Sequence, residues 1–341
     1  MTLLSSTAFS AELQAIRRDL HAHPELSFEE HRTSDLVAKK LTEWGIPVTR
    51  GLAETGVVGV IKRGNSTRSI GLRADMDALP MQELNQFDHT SVFNGKMHAC
   101  GHDGHTAMLL GAAHSLVTSK TLDGTVVLIF QPAEEGGGGA KRMMDDGLFD
   151  RFPVDAVFGM HNYPGMPVGH FGLTPGPMLA SASEFKVTIT GKGGHAAQPQ
   201  HAIDPLMIGV QLAQAWQTIM TRNRDPMDNG VLSITQFHAG SAGNIIPDQA
   251  TLEGTVRTFS TDLVDLIERR MREIAEHTAA AYGALVDFQF AREYPALIND
   301  PLQAAFATQV LREMVGTHAV DAQFRPIFAA EDFAFMLQQK P

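Results

Sequence analysis

The sequence predicts an α/β fold in which a mainly parallel sheet domain is interrupted by an inserted ferredoxin-like α+β satellite domain. Two observations carry this. Between residues 56 and 160, uninterrupted apolar runs alternate with helical stretches, the pattern of strands covered on both faces and joined by helical crossovers. From Glu184 the texture changes to strict apolar–polar alternation, and the elements follow the order β-α-β-β-α-β over about 110 residues. The first domain's style then returns. The expected bounds are 1–180 with 294–341 for the first domain and 181–293 for the satellite.

Taken in order, Ser27-Phe28-Glu29-Glu30 has the spacing of a capping box. It predicts a helix with Leu36, Val37, Leu41 and Trp44 near one face, ended by Gly45. Strands are expected at Gly56–Ile61 and Ser69–Ala74, the second running into Asp75-Met76-Asp77. Met97 to His105 reads as a loop ahead of a helix over Thr106–Val117. The strand Thr125–Phe130 ends in Gln131-Pro132-Ala133-Glu134-Glu135 and four glycines. A short helix over about 140–147 leads to the strand Asp155–Met160, which ends in His161-Asn162.

In the satellite, Phe185, Val187 and Ile189 alternate with Lys186, Thr188 and Thr190, a strand with one wet face. Asp204-Pro205 supplies an N-cap and a first-turn proline for a helix reaching about Arg222. Strands Gly230–His238 and Gln249–Phe259 follow, then a helix over Thr261–Tyr282 with Leu263, Leu266, Ile267, Met271 and Ile274 on one side. Val286, Phe288 and Phe290 mark the last strand, and Asp300-Pro301 opens a further helix.

Composition narrows the class. A 341-residue chain with 43% hydrophobic and 19% charged residues is ordinary for a globular enzyme. A formal net charge of −11 argues against nucleic acid or an anionic membrane as partner. A single cysteine excludes an internal disulfide, residues 1–10 do not read as a signal peptide, and no apolar run has membrane-spanning length. A cytoplasmic protein is expected.

The chemistry concentrates in Met97-His98-Ala99-Cys100-Gly101-His102-Asp103-Gly104-His105, with three histidines after Met97 and the only cysteine. Thiolate and imidazole ligands suit zinc- or manganese-class ions, and the glycines at 101 and 104 would let the backbone turn tightly. A cysteine beside a helix start is also expected to ionise more easily, which would serve ligation or nucleophilic attack. Ligands of open α/β sheets bind beyond the carboxyl ends of the strands. Three strands here end in Asp75 and Asp77, in Glu134 and Glu135, and in His161. Clustered carboxylates repel unless cations offset them, and two divalent ions would also activate water for hydrolysis. One of the adjacent glutamates would then bind metal while the other takes a proton from the water.

These residues resemble the aminoacylase and carboxypeptidase family of dinuclear metallohydrolases. They look most like its branch of hippurate hydrolases, indoleacetyl-amino-acid hydrolases and N-acetyl-diaminopimelate deacetylases. The motifs are His21-Ala22-His23-Pro24-Glu25-Leu26, Arg73 to Pro80, Cys100 to His105, Pro132 to Gly136, Gly159-Met160-His161-Asn162 and Glu331-Asp332-Phe333. The resemblance implies a catalytic first domain, a satellite used for closure and dimerisation, and two divalent metal ions, manganese or zinc, with cobalt or nickel also fitting. It implies that Cys100 bridges the metals, that His102, Glu135 and His161 complete most of the coordination, that Glu134 is the general base and that Asp77 orients a ligand. It places His195 at the oxyanion, often of the partner subunit, and Asn244 and Arg257 at the substrate carboxylate. The implied substrate is a small N-acyl or N-aroyl amino acid and the implied assembly a homodimer or dimer of dimers. His21 and His23 are expected to be structural, and Asp75 is not expected to be a ligand.

One departure stands out. Family members continue past the position of Pro341 with a further ligand histidine, and no histidine follows His318. A truncated catalytic domain, or a catalytically impaired binding or scaffold homologue, is therefore the alternative to an active amidohydrolase. A third reading makes Cys100 a covalent nucleophile activated by a histidine.

Overall fold

A computed structural model describes residues 7–341, which divide into two compact units. The first comprises residues 7–173, 299–322 and 332–341, the second Thr174–Ile298 and Gln323–Glu331.

The first unit is built on a five-stranded sheet of β1 (Val48–Leu52), β2 (Gly56–Arg63), β3 (Ser69–Asp75), β4 (Gly124–Gln131) and β5 (Ala156–Gly159), in the order β1-β2-β4-β3-β5. β3 pairs in parallel with both β4 and β5, whereas β2 runs antiparallel to β1 and β4. Four strands therefore point one way, and the sheet is mainly parallel. Val126 to Phe130 are all buried, as an apolar run covered on both faces requires.

α1 (Thr7–Ala22), α2 (His31–Glu43) and α3 (His102–Thr118) pack Ile16, Leu20, Val37, Leu41 and Leu110 against Val57, Val126 and Leu128. The sequence reading did not foresee α1. Its apolar residues Phe9, Leu13, Ile16 and Leu20 do recur at helical spacing, a periodic signal that the sequence reading passed over. The capping box expected at Ser27–Glu30 does not form. The α2 amides of Arg32 and Thr33 instead donate to the Glu25 carboxylate at 2.9 and 2.8 Å, and the Glu30 side chain turns away from the helix. The α3 helix starts at His102, four residues earlier than expected. Gly101 (φ 92°) makes the turn into it, while Gly104 lies inside the helix and makes no turn. α4 (Gly139–Asp145) and α5 (Leu148–Arg151) connect β4 to β5.

The second unit has an antiparallel sheet of β6 (Ala182–Thr190), β7 (Gly230–Ala239), β8 (Gln249–Thr258) and β9 (Leu285–Tyr294), ordered β7-β8-β6-β9. With α6 (Pro205–Thr218) and α7 (Thr261–Ala281) inserted after β6 and β8, this is the ferredoxin-like arrangement. Phe185, Val187 and Ile189 face a core with Trp216, Ile267 and Met271, and Glu184 and Lys186 face out. Asp204 caps α6 through Leu206 N and Met207 N, and Ser260 caps α7 through Leu263 N. The α6 helix ends in one π-helical turn, Ile219–Asn223. The segment 323–331 joins this unit by a backbone hydrogen bond from Ala180 N to Ile327 O and a ring contact between Phe259 and Phe328. In the first unit α8 (Pro301–Val315), capped by Asp300, and α9 (Phe333–Leu337) complete the helices. Among the described residues, no helix is long and apolar enough to cross a membrane.

Candidate metal centre

Parallel strands deliver side chains to one edge of a sheet, and β3, β4 and β5 do so here. β3 ends at Asp75 and leads to Asp77, β4 leads through Pro132-Ala133 to Glu134 and Glu135, and β5 leads to His161. The first turn of α3 adds His102, and the residue before its cap is Cys100. One ligand atom each from Cys100, His102 and His161 lies within 4.8 Å of the others, and the same holds for His102, Glu134 and Glu135. Gly101 is what permits the approach of the β5 loop. A Cβ there would stand 2.3 Å from Asn162 Oδ1.

The nitrogens and oxygens have assignable roles. His161 Nδ1 faces the Asn162 carbonyl at 2.7 Å, which can only accept, so Nδ1 carries a proton, and Nε2 faces Cys100 Sγ at 3.5 Å. His102 Nδ1 faces Asp77 Oδ1 at 3.3 Å. Its Nε2 is buried, lacks a hydrogen-bond partner, and lies 4.0 Å from Glu135 Oε1, which is equally buried and unbonded. Two unbonded polar atoms in one dry spot would be costly as they stand. Metal bonds of about 2 Å place two ligands of one ion about 3–4 Å apart, so a divalent ion fits this pair.

Electrostatics point the same way. Burial alone would lower the His102 pKa, but the Asp75 charge and the Asp77 hydrogen bond outweigh it and push it up to about 12. The acids thus hold a positive charge at this point, and a divalent ion would take the place of that proton. Burial raises Glu135, and nearby Asp77 adds to the rise. The Cys100 thiol is raised as well. The nearby His102 pulls it down, but burial and the Glu135 charge prevail. That corrects the expectation of an easily ionised cysteine.

Asp75, His102 and His105 form a further group whose ligand atoms lie within 4.8 Å of one another, and Asp75 and His105 are each also tied to protein partners. Burial would raise Asp75, yet Arg73 holds it well below the usual carboxylate range. Arg73 Nη1 donates to Asp75 Oδ2 at 2.7 Å, and His105 Nδ1 donates to Asp75 Oδ1 at 2.6 Å. His105 Nε2 then accepts the Asn162 amide at 3.0 Å, tying α3 to the loop that carries His161. Arg73 also bonds Gln131 and Asp332, whose carboxylate accepts the Ala140 amide at 2.8 Å. The sequence reading assigned no role to His105, Arg73, Gln131 or Asp332. Only their polarity inside apolar strands or motifs marked them. His21 lies buried between Asp103 (2.9 Å) and Glu83 (3.1 Å), bracing α3 from below. His23 Nδ1 faces the Asp19 carbonyl at 2.8 Å.

The remaining candidates lie in the second unit. His195 sits on a two-residue strand, Gly194–His195, paired with Ile245–Ile246, and is exposed. Asn244 adjoins it, its carbonyl accepting the Ala196 amide at 3.0 Å. Arg257, half-buried, lies on β8 opposite Val231, away from that hairpin along the strand.

Residues 71–341 match peptidase family M20/M25/M40. The chain belongs to this family. It is 43% identical over 329 residues to the hippurate hydrolase of Campylobacter jejuni, covering 96% of this chain and 86% of that one. It is 41% identical over 346 residues to an IAA-amino acid hydrolase of Arabidopsis thaliana (ILR1-like 4), covering 100% of this chain and 78% of that one. Among solved structures it superposes on a putative aminohydrolase from methicillin-resistant Staphylococcus aureus with TM-score 0.91 at 33% identity, over 98% of this chain and 88% of that one. A dinuclear metal-binding M20 peptidase of Bacillus subtilis gives TM-score 0.86 at 37% identity, over 99% and 88%. This M20 member is accordingly a metallo-amidohydrolase that acts on amide bonds with divalent metal.

Proposed function

We propose that this M20 protein hydrolyses the amide bond of small N-acyl or N-aroyl amino acids, hippurate among them. The names of the relatives point to this substrate class. The carrying observation is the buried, unbonded pair His102 Nε2 and Glu135 Oε1 beside Cys100 and His161, with a second glutamate adjoining them. Cys100, His102, Glu135 and His161 would hold two divalent ions, manganese or zinc, with Cys100 shared. Bound there, the ions would acidify water and polarise the scissile carbonyl. Glu134 accepts the proton of the attacking water and returns it to the leaving amine. It is 6% exposed, and its Oε1 accepts the Asp332 amide at 3.4 Å, which orients it. Asp77 keeps His102 turned by its Nδ1 and holds the Glu135 amide at 2.9 Å. His195 is assigned to the developing oxyanion, and Asn244 and Arg257 to the substrate carboxylate. A cytoplasmic homodimer formed through the second unit completes the reading.

The test is Glu134→Gln assayed with hippurate and N-acetyl amino acids in added manganese or zinc. Turnover should fall by about 10²–10⁴ while two metals stay bound. A variant that turns over normally would remove the base assignment. A wild-type protein that binds two metals yet cleaves none of these substrates would favour the binding or scaffold alternative.

A further inference from the structure

The segment that looked like a capping box has another use. Glu25 caps α2, which frees Ser27 and Glu30. Ser27 Oγ reaches Asp77 Oδ2 at 3.0 Å and the Glu135 carbonyl at 3.2 Å. Glu30, fully buried, accepts the Ala133 amide at 2.8 Å and the Thr55 hydroxyl at 2.6 Å. Ala133 needs such a hold. It has φ 53°, a left-handed conformation that a residue with a Cβ rarely adopts, and it sets the direction in which Glu134 and Glu135 leave β4. Phe28, between the two, also has positive φ (64°). Its ring lies against the glycine run, where a Cβ on Gly137 would meet it at 3.1 Å, and under Arg142 at 5.0 Å. Two strained non-glycine residues, in segments joined by two side chain–backbone hydrogen bonds, mark a geometry maintained for the loop and not for the helix.

We propose that Ser27 and Glu30 are positioning residues of the metal centre, fixing through Asp77, Ala133 and the Glu135 backbone where the two glutamates point. Neither touches substrate or metal. The proposal rests on the reading that Glu135 is a ligand. A hydroxyl or carboxylate one step behind a ligand sets its orientation before metal arrives, and losing such a group typically weakens metal binding 10–100-fold.

The test is cobalt(II) titration of the metal-free protein, followed by the thiolate-to-cobalt absorption that reports Cys100 ligation, with thermal unfolding of each metal-free variant alongside. Ser27→Ala and Glu30→Ala should each raise the cobalt Kd about tenfold or more. Glu30→Gln, which keeps an acceptor for Ala133 and a donor towards Thr55, should bind within about twofold of wild type. If Glu30→Ala fails to fold, Ser27→Ala and its hydroxyl-bearing counterpart Ser27→Thr decide alone, the first weakened and the second largely restored. Wild-type affinity in Ser27→Ala and Glu30→Ala would overturn the proposal. Glu135→Ala is the control that separates the two readings. If it abolishes a wild-type signal that Ser27→Ala leaves intact, the positioning role fails alone. If it binds like wild type, the metal-centre reading falls and the positioning role with it.

Discussion

Asp77 is the residue on which most of the candidate site converges. One oxygen faces His102 Nδ1, and the other accepts both the Glu135 amide and the Ser27 hydroxyl. Asp77→Asn keeps the size but turns one acceptor into a donor. It should weaken zinc or manganese binding 10–100-fold with little change in unfolding temperature, as measured by competition with a chelator. Glu30 offers a pH signature. Burial pushes its pKa from 4.5 up to about 7, against the opposing hydrogen bonds from Thr55 and Ala133. A raised acid binds its proton more tightly folded than unfolded, so its contribution to stability falls as pH rises from about 4.5 to 7 and is level above that. The loss is on the order of 3 kcal/mol. Urea unfolding of metal-free wild type and Glu30→Gln at pH 5 and pH 8 checks this. The stability of wild type relative to the variant should drop between the two, and a constant difference would mean that Glu30 ionises like an exposed acid.

Elements carry constraints of their own. Caps decide where helices start, and the second unit shows this without any involvement of the metal centre. The half-buried Asp204 side chain accepts Leu206 N at 2.9 Å, and Pro205 follows at the first helical position. Asp204→Ala should cost about 1 kcal/mol of stability with metal affinity unchanged, read by urea unfolding and metal titration on the same sample. The turn from β4 into α4 is far less tolerant. A Cβ on Gly139 would stand 1.8 Å from the Pro132 carbonyl oxygen, so the loop carrying both glutamates packs against a position open only to glycine.

For the molecule as a whole, metal and folding are coupled, because the proposed ligands come from β4, β5 and α3 and converge only in the folded chain. Ligand that binds only the native state stabilises it by about 2.7 kcal/mol at a hundredfold excess over Kd. Removing metal with a chelator should therefore lower the unfolding temperature. Glu135→Ala should start at the lower value and show no shift on adding metal, and calorimetry with and without chelator measures both.

The strand–helix alternation, the change of period at Glu184 and the Asp204 and Asp300 caps were all legible in sequence, since each is a local pattern with a local cause. So were the strand-end acids and His161, because parallel strands must deliver their carboxyl ends to one edge. What folding alone decided was partnership. Glu25 rather than Ser27 caps α2, and His105 spends both nitrogens on Asp75 and Asn162. Arg73 neutralises a carboxylate that sequence leaves open, and the Cys100 thiol is raised rather than lowered. A buried side chain bonds to whichever group the packing brings within about 3 Å. That choice is made between residues tens to hundreds of positions apart, where periodicity and propensity carry no information.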